Sequence, residues 1–296
     1  MSRFSLGVIG SRVMTWADGY GVDLVLGALM PAALIGFYRM GGRLNAALAS
    51  ILVFAPWQAQ LAYLGERFRK APQRAGTAMR RALQLHMSLI APLFAGLAVA
   101  SHDLIALLLG PAWKPAGDVL TIMALGSVAQ VLWGVLIAAF VATGRSQRMF
   151  VFNAGVVGAT TAALAFGALW GIQGAALGKF TVAAALYVAG LFLIAELRRA
   201  DLIKIVGFFA RMALCIGALV AAMLLAGALA PQGNAMWALS ARIGIEAIAG
   251  LGAYLAALRL IAPEAARQLL FVARKRLRGV KTRRAEAPGS ALPLGS

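Results

Sequence analysis

The sequence has few of the residues from which proteins build disulfides, metal sites and catalytic groups. Its 296 residues include one cysteine, two histidines and ten aspartate or glutamate residues. The lone Cys215 lies in an apolar run and leaves no disulfide framework or thiolate metal cluster to build. His86 and His102 are about 24 Å apart by helical rise, which is too far to share a metal ion. No HExxH, GxSxG or GxxxxGK[ST] motif is present. We therefore expect no enzymatic activity and no metal or other cofactor.

Charged side chains are also scarce. They make up 13% of the chain, whereas 61% of the residues are hydrophobic and the mean hydropathy is +0.83. This composition is more apolar than that of soluble domains, so we expect the chain to reside in lipid. The net charge of +18 would suit nucleic acid, but the basic residues lie in short gaps between apolar runs. Because these gaps leave no polar surface for such a ligand, nucleic acid is not an expected partner.

Eight apolar runs have the length that a membrane-spanning helix requires, which is about 20 residues. The runs are continuous and do not alternate with polar residues, and helices satisfy their own backbone hydrogen bonds in lipid. We therefore predict an all-α polytopic transmembrane helix bundle. An interfacial segment covers 1–20, the bundle covers 21–262 and a basic cytoplasmic tail covers 263–296. The predicted spans are 21–38, 44–64, 82–101, 119–142, 149–169, 175–196, 205–229 and 242–262.

The distribution of Lys and Arg predicts the orientation of the bundle. Of the 28 basic residues, 21 lie in the N-terminal segment, the tail and the loops on their side, and four lie on the opposite side. By the positive-inside rule both termini are cytoplasmic. Trp113, Trp170 and Trp237 fall at the predicted outer interface, where an indole N–H stays in contact with water. Within the tail, 264–284 mixes apolar and basic residues, which is explained either by plain anchoring or by specific lipid binding.

Small residues and prolines inside the runs predict features of helix packing. Gly155 with Gly158, and Gly250 with Gly252, would permit two helix backbones to approach closely. A proline inside a helix frees a carbonyl group, so we expect kinks in the first three spans. The prolines concerned are Pro31, Pro56 and Pro92.

Four ionisable residues lie inside predicted spans, where an unpaired charge is unfavourable. Each has a structural explanation. Asp23 would interact with the dipole at the start of its helix, and Lys179 and Arg211 would extend towards the nearest interface. Glu246 would pair with Arg242, which lies one helical turn earlier.

The alternative explanation is a water-filled cavity for an anionic ligand. A cationic lining would suit phosphate in a head group, and neutral amide side chains would suit sugar hydroxyls, although bonding between helices explains the amides equally well. Asp23 is then a candidate for ion or proton coupling. The candidate residues for the substrate cavity are Lys179, Arg211, Arg39, Arg43, Gln58, Gln60 and Asn153.

Several short motifs resemble those of the polysaccharide and O-antigen flippases within the multidrug/oligosaccharidyl-lipid/polysaccharide exporter superfamily. The resemblance runs from about residue 1 to residue 260 and is to the second half of such proteins. The motifs are Asp23-Leu-Val-Leu-Gly27 with Gly36-Phe-Tyr38, Leu107-Leu-Leu-Gly110-Pro-Ala-Trp113, Ala142-Thr-Gly144-Arg145 and Gly171-Ile-Gln-Gly174-Ala-Ala. Their order and spacing match the predicted helices.

The resemblance implies a fold of two six-helix lobes around a central cavity, with two additional C-terminal helices, and transport by alternating access. Its function would be to move a saccharide linked to undecaprenyl diphosphate across the bacterial inner membrane. Eight spans correspond to such a protein without its first lobe. We therefore expect a truncated reading frame, a degenerate remnant or a split half that needs a separately encoded N-terminal lobe, with membrane lipids as further partners.

Three other functions remain open at this point. The same architecture would also suit a cation-coupled exporter of small molecules. A non-transporting membrane subunit of a polysaccharide synthesis complex is the second alternative. The third is a membrane transferase, which would require a cluster of Asp, Glu or His in a loop, and the sequence shows none.

Overall fold

The computed structural model describes residues 3–50, 64–67, 70, 75–192, 199–233 and 235–269. Within these ranges the chain forms eight long helices and contains no β-strand. The helices are α1 (Arg3–Leu29), α2 (Ala32–Ala49), α3 (Ala75–Leu109), α4 (Lys114–Ala142), α5 (Ser146–Gly167), α6 (Gly171–Leu191), α7 (Arg199–Leu229) and α8 (Met236–Ile261). Short 3₁₀ helices over Pro111–Trp113 and Ala168–Trp170 precede α4 and α6.

Five stretches within the described residues are long and apolar enough to cross a bilayer. One of them, Ser146–Leu191, contains both α5 and α6. The five stretches cover the third to the eighth predicted spans, so the expectation of an all-α polytopic bundle is confirmed. The stretches are Gly76–Leu109, Pro111–Ala142, Ser146–Leu191, Ile203–Leu229 and Met236–Ile261.

The first predicted span, 21–38, is wrong as a single helix. Helix α1 ends at Leu29 and α2 begins at Ala32, with Pro31 between them in an extended conformation (φ −60°, ψ 147°). Proline lacks an amide hydrogen and disfavours the helical conformation of the residue before it, so the chain turns here where only a kink was expected. Helix α1 instead begins at Arg3 and passes without a break through the predicted boundary at residue 20.

Kinks were also predicted at Pro56 and Pro92. The second predicted span, 44–64, begins inside α2, but most of it, including Pro56, lies outside the described residues. Pro92 lies inside α3, which continues to Leu109.

The predicted tail is described as far as residue 269, and 263–269 is helical.

Consecutive helices run in opposite directions, as the contacts between them show. Helices α1, α3, α5 and α7 point one way, and α2, α4, α6 and α8 point back. The contacts that show these directions are Gly10 with Phe150, Asn45 with Ser127, Gly96 with Met223 and Tyr254 with Ser88. We name the end formed by 30–31, 110–113, 168–170 and 230–233 the turn end. The opposite end, formed by 143–145, 262–269 and the first turns of α3 and α7, is the basic end.

From α3 onward the two ends agree with the division of loops inferred from the sequence, whereas the predicted outer loop at 39–43 lies inside α2. Trp113, Trp170 and Trp237 all lie at the turn end, and the side chains of Trp170 and Trp237 are exposed there. Arg145 lies at the basic end, together with Arg80 and Lys204 near the starts of α3 and α7. That the basic end faces the cytoplasm stays a prediction.

Helix α4 forms the centre of the bundle. In its most apolar stretch 61% of the residues are buried inside the protein, against at most 33% in the other four spanning stretches. It packs against α2, α3 and α6, and its residues contribute to both apolar clusters of the core. A helix that is apolar on every face is expected in such a central position.

Glycines bring α5 and α6 into backbone contact near the turn end. A methyl group added at Gly174 would lie less than 3.0 Å from the backbone of Gly167, and one at Gly178 would lie equally close to the carbonyl oxygen of Ala163. The pairs Ala163/Gly167 and Gly174/Gly178 are each spaced four residues apart. This is the small-residue spacing that lets two membrane helices pack closely.

The glycines selected from the sequence do not make such contacts. Cβ atoms at Gly155, Gly158 and Gly252 would meet no described atom within 4 Å, and Gly250 packs against the side chain of Met223. The selected pairs are three and two residues apart, whereas the residues that pack are spaced four apart and lie elsewhere on α5 and α6. Small residues occur at this spacing in many places in the chain, and the spacing alone does not distinguish a packed face from a lipid-facing one.

Candidate functional site

An ion pair joins α1 to α6 within the bundle. The Nζ atom of Lys179 lies 2.9 Å from each carboxylate oxygen of Asp18. The two side chains are 14% and 32% exposed, respectively. A charge that leaves water requires a partner, and each of these residues supplies the partner of the other. Lys179 is therefore held in an ion pair with Asp18 in this conformation.

Sequence reasoning did not identify Asp18 as part of a site, because it was assigned to the interfacial segment. Asp18 and Lys179 are 161 residues apart in the chain. No local spacing rule connects two positions at that separation. The signal that was available is that acidic residues are scarce, so each one near an apolar run is a candidate partner for a basic residue.

A second ion pair crosses the turn between α1 and α2. Arg39 donates from Nε to Oδ1 of Asp23 at 2.9 Å, and these side chains are 52% and 38% exposed. Asp23 lies near the end of α1, so its interpretation as a carboxylate at a helix start is wrong. A pair this accessible is expected to add little stability. Arg43, one turn further along α2, is exposed and forms no ion pair with a described residue.

Amide side chains connect helices through buried hydrogen bonds. Asn45 of α2 donates from Nδ2 to Oγ of Ser127 in α4 at 2.9 Å, and both residues are buried. Asn153 is buried, and its Oδ1 accepts a hydrogen bond of 3.4 Å from Nε1 of Trp133. Asn153 therefore makes a hydrogen bond between two helices, α5 and α4, which is one of the two explanations given for it above. Gln58 and Gln60 lie outside the described residues.

Polar groups at the turn end join α3 to its neighbours. Arg242 of α8 pairs with Asp103 of α3, with an Nε to Oδ2 distance of 2.5 Å, and also contacts Gln232. The predicted pair between Arg242 and Glu246 is therefore wrong. Glu246 is buried beside Gly227 instead, and its Oε2 has no hydrogen-bond partner in the described part of the chain.

A histidine bridge also lies at the turn end. His102 Nε2 is 2.7 Å from Oδ1 of Asp118 in α4, and the other carboxylate oxygen accepts a hydrogen bond from Gln173 of α6 at 2.8 Å. These contacts connect the ends of three helices. Across the residues that the structure describes, no group of three or more His, Cys, Asp or Glu is arranged to hold a metal ion.

Arg211 lies in a cavity at the basic end. The cavity has a volume of about 450 Å³ and lies between α3, α7 and the segment after α8. Arg80 and Lys204 also line it, whereas Lys179, Arg39 and Arg43 do not. The structure therefore distributes the described candidate residues among separate places: Lys179 in the α1–α6 pair, Arg39 and Arg43 on α2, Asn153 between α4 and α5, and Arg211 at this cavity.

Comparison with known proteins adds an observation on the first part of the chain. Residues 1–118 match the model of a family described as polysaccharide biosynthesis protein. None of the curated proteins compared with the chain matches it. The matched segment contains α1, α2 and α3, and with them Asp18, Asp23 and Arg39. Together with the spanning helices, this similarity indicates a multi-pass membrane protein with a role in polysaccharide biosynthesis or export.

Proposed function

We propose that the chain translocates lipid-linked oligosaccharide or polysaccharide precursors across the bacterial inner membrane, as the second lobe of a flippase. Its cargo is a saccharide on undecaprenyl diphosphate, and the chain itself performs no bond chemistry. The family match over residues 1–118 supports the polysaccharide part of this proposal. The helices alternate in direction and make polar contacts with one another, which supports the transport part of the proposal.

The observation that carries the proposal is the ion pair between Asp18 and Lys179. It lies between α1, a helix of the matched segment, and α6, which is part of a spanning stretch. Ionisable groups inside membrane bundles generally mark substrate or ion pathways, because an unneeded charge there is costly. When α1 moves away from α6, the ammonium group of Lys179 becomes available to the diphosphate of the carrier. The ion pair then closes the site again after the cargo has left.

The second part of the proposal is that the chain works with a first lobe encoded separately. Large apolar side chains on α1, including Trp16, Tyr20 and Leu24, are exposed. In a complete flippase one face of the bundle would contact the other lobe across the central cavity. A six-span reading frame directly upstream in the genome, in the same direction, would support this arrangement.

The test is made in the source organism, where any partner lobe is present. Deleting the coding sequence should abolish surface polysaccharide and cause the lipid-linked precursor to accumulate. Lys179→Ala should restore less than about a tenth of the wild-type surface polysaccharide, since a rise of about 1.4 kcal/mol in the transport barrier slows transport tenfold. Lys179→Arg, which keeps the charge, should restore more than Lys179→Ala does. Extracted precursor and surface polysaccharide are both quantified.

The matched control is Lys70→Ala. Lys70 pairs with Glu66 at 2.7 Å, but both side chains are largely exposed, so its loss should leave transport unchanged. Immunoblots of membranes verify that all variants reach equal abundance. Full transport by Lys179→Ala would refute the role of the ion pair. Intact surface polysaccharide after deletion would refute the function, and altered efflux of cationic dyes would then favour a small-molecule exporter.

A further inference from the structure

The cavity at the basic end has features that the proposed function does not explain. It lies between residues 80–84 of α3, residues 203–211 of α7 and residues 262–265, in the half of α7 that is farther from the turn end. Arg80 and Gln84 line it from α3, and Lys204, Gly207 and Arg211 line it from α7. Positions 204, 207 and 211 lie on one face of the helix, so the two cations are about 10 Å apart along α7.

Positively charged side chains outnumber negatively charged ones in the lining of the cavity. Arg80 is partly neutralised by Asp201, at 3.6 Å from Nε, and its side chain is 16% exposed. Lys204 and Arg211 form no ion pair with any residue that the structure describes. Glu264 is the acidic residue in the lining, and it also has no salt-bridge partner there. An anion between Lys204 and Arg211 would therefore meet two unpaired cations, and Gln84 would add a hydrogen-bond donor.

Exposed aliphatic side chains lie beside the cavity on α7. Ile203 lines the cavity and is 72% exposed, and Val206 on the neighbouring turn of α7 is 65% exposed. Exposed aliphatic side chains next to basic ones are typical of the interface between acyl chains and head groups. Gly207 keeps the wall of the cavity open, because no described atom lies within 4 Å of the position of its missing Cβ.

We propose that this cavity binds a phosphate group, held between Lys204 and Arg211 and carried by the head group of a membrane lipid. Charge-assisted hydrogen bonds from Lys and Arg are the usual contacts of protein-bound phosphate. Free phosphate shares this chemistry, and the experiment below distinguishes the two sources. The inference does not depend on the proposed transport function, because it concerns a different place in the bundle from the Asp18–Lys179 pair.

The experiment measures ligand binding to the full chain by native mass spectrometry from nonionic detergent. The ligands are dioleoyl phosphatidylglycerol, dioleoylglycerol, which lacks the phosphate, and inorganic phosphate. We expect retention of phosphatidylglycerol and not of dioleoylglycerol. Lys204→Gln and Arg211→Gln should each weaken binding about tenfold, the effect of losing one charged contact. Arg81→Gln removes an exposed charge next to the cavity and should change binding less than about twofold.

Two further variants separate a binding role from a structural one. Gly207→Leu keeps every charge but fills the cavity, and should abolish binding, whereas Gly217→Leu places the same side chain in open space elsewhere on α7 and should not. Glu264→Gln removes the negative charge of the lining and should strengthen binding severalfold. Loss of a merely structural contact would not increase affinity.

The mass spectrometry results distinguish a lipid phosphate from a free phosphate, and they also test whether the cavity binds phosphate. Retention of phosphatidylglycerol alone assigns the site to a lipid head group. Retention of inorganic phosphate as well, with the same dependence on Lys204 and Arg211, extends the site to free anions. Equal retention of dioleoylglycerol and phosphatidylglycerol would overturn the proposal, as would wild-type affinity in both Lys204→Gln and Arg211→Gln.

Discussion

Replacing Gly178 by alanine tests the backbone contact between α5 and α6. The added methyl group would lie less than 3.0 Å from the carbonyl oxygen of Ala163, and a backbone atom cannot rotate away as a flexible side chain can. The two helices must therefore separate, and overpacking of this kind costs about 1–3 kcal/mol. Alanine also has a helix propensity about 1 kcal/mol better than glycine, which offsets part of that cost. We expect a net decrease of up to about 2 kcal/mol in the free energy of unfolding.

Gly158→Ala is the matched control on α5. Its methyl group meets no described atom within 4 Å, so only the propensity gain applies and the variant should be as stable as wild type or slightly more so. The two variants make the same chemical change and should differ in the sign of their effect. Unfolding in mixed micelles with increasing SDS, followed by circular dichroism, measures the difference. Gly178→Ala as stable as Gly158→Ala would show that α5 and α6 do not pack through these backbones.

Two further predictions concern the turn end and the orientation. Arg242→Gln should lower the free energy of unfolding by about 3 kcal/mol, because it leaves Asp103 partly buried without its partner, and adding Asp103→Asn should recover part of this loss. The double-mutant cycle in the same SDS titration measures this coupling, and additive losses would contradict it. With Cys215 replaced, Ala235→Cys should react with an impermeant maleimide added outside intact cells and Gln147→Cys should not. Both sites are exposed, at the turn end and the basic end respectively, and the reverse labelling pattern would overturn the predicted orientation.

The helical class of the protein and most of its spans follow from local properties of the sequence. A membrane helix requires a run of apolar residues of sufficient length, and this requirement does not depend on what the helix packs against. The third to the eighth predicted spans therefore coincide with apolar helices of the structure. The first span was misplaced because Pro31 ends α1 where only a kink was expected, and because α1 already begins at Arg3.

Two basic residues of the candidate site could also be predicted from the sequence. Charges inside apolar runs are few, so Lys179 and Arg211 could be singled out by their position alone. Their surroundings could not, since Asp18 is 161 residues from Lys179 and the cavity around Arg211 is closed by residues 262–265. Arg242 illustrates the same point: a helical partner one turn away was available, and the structure selects Asp103 on another helix.

Sequence alone thus determined that the chain is a bundle of apolar helices with basic residues concentrated at one end, because hydrophobic run length and charge placement are properties of each segment by itself. Only the tertiary structure decided where Pro31 divides the chain into two helices, which glycines bring backbones together, and which carboxylate neutralises each buried cation. These are contacts between distant segments, and their free energies depend on the distances and burial that the packed helices create.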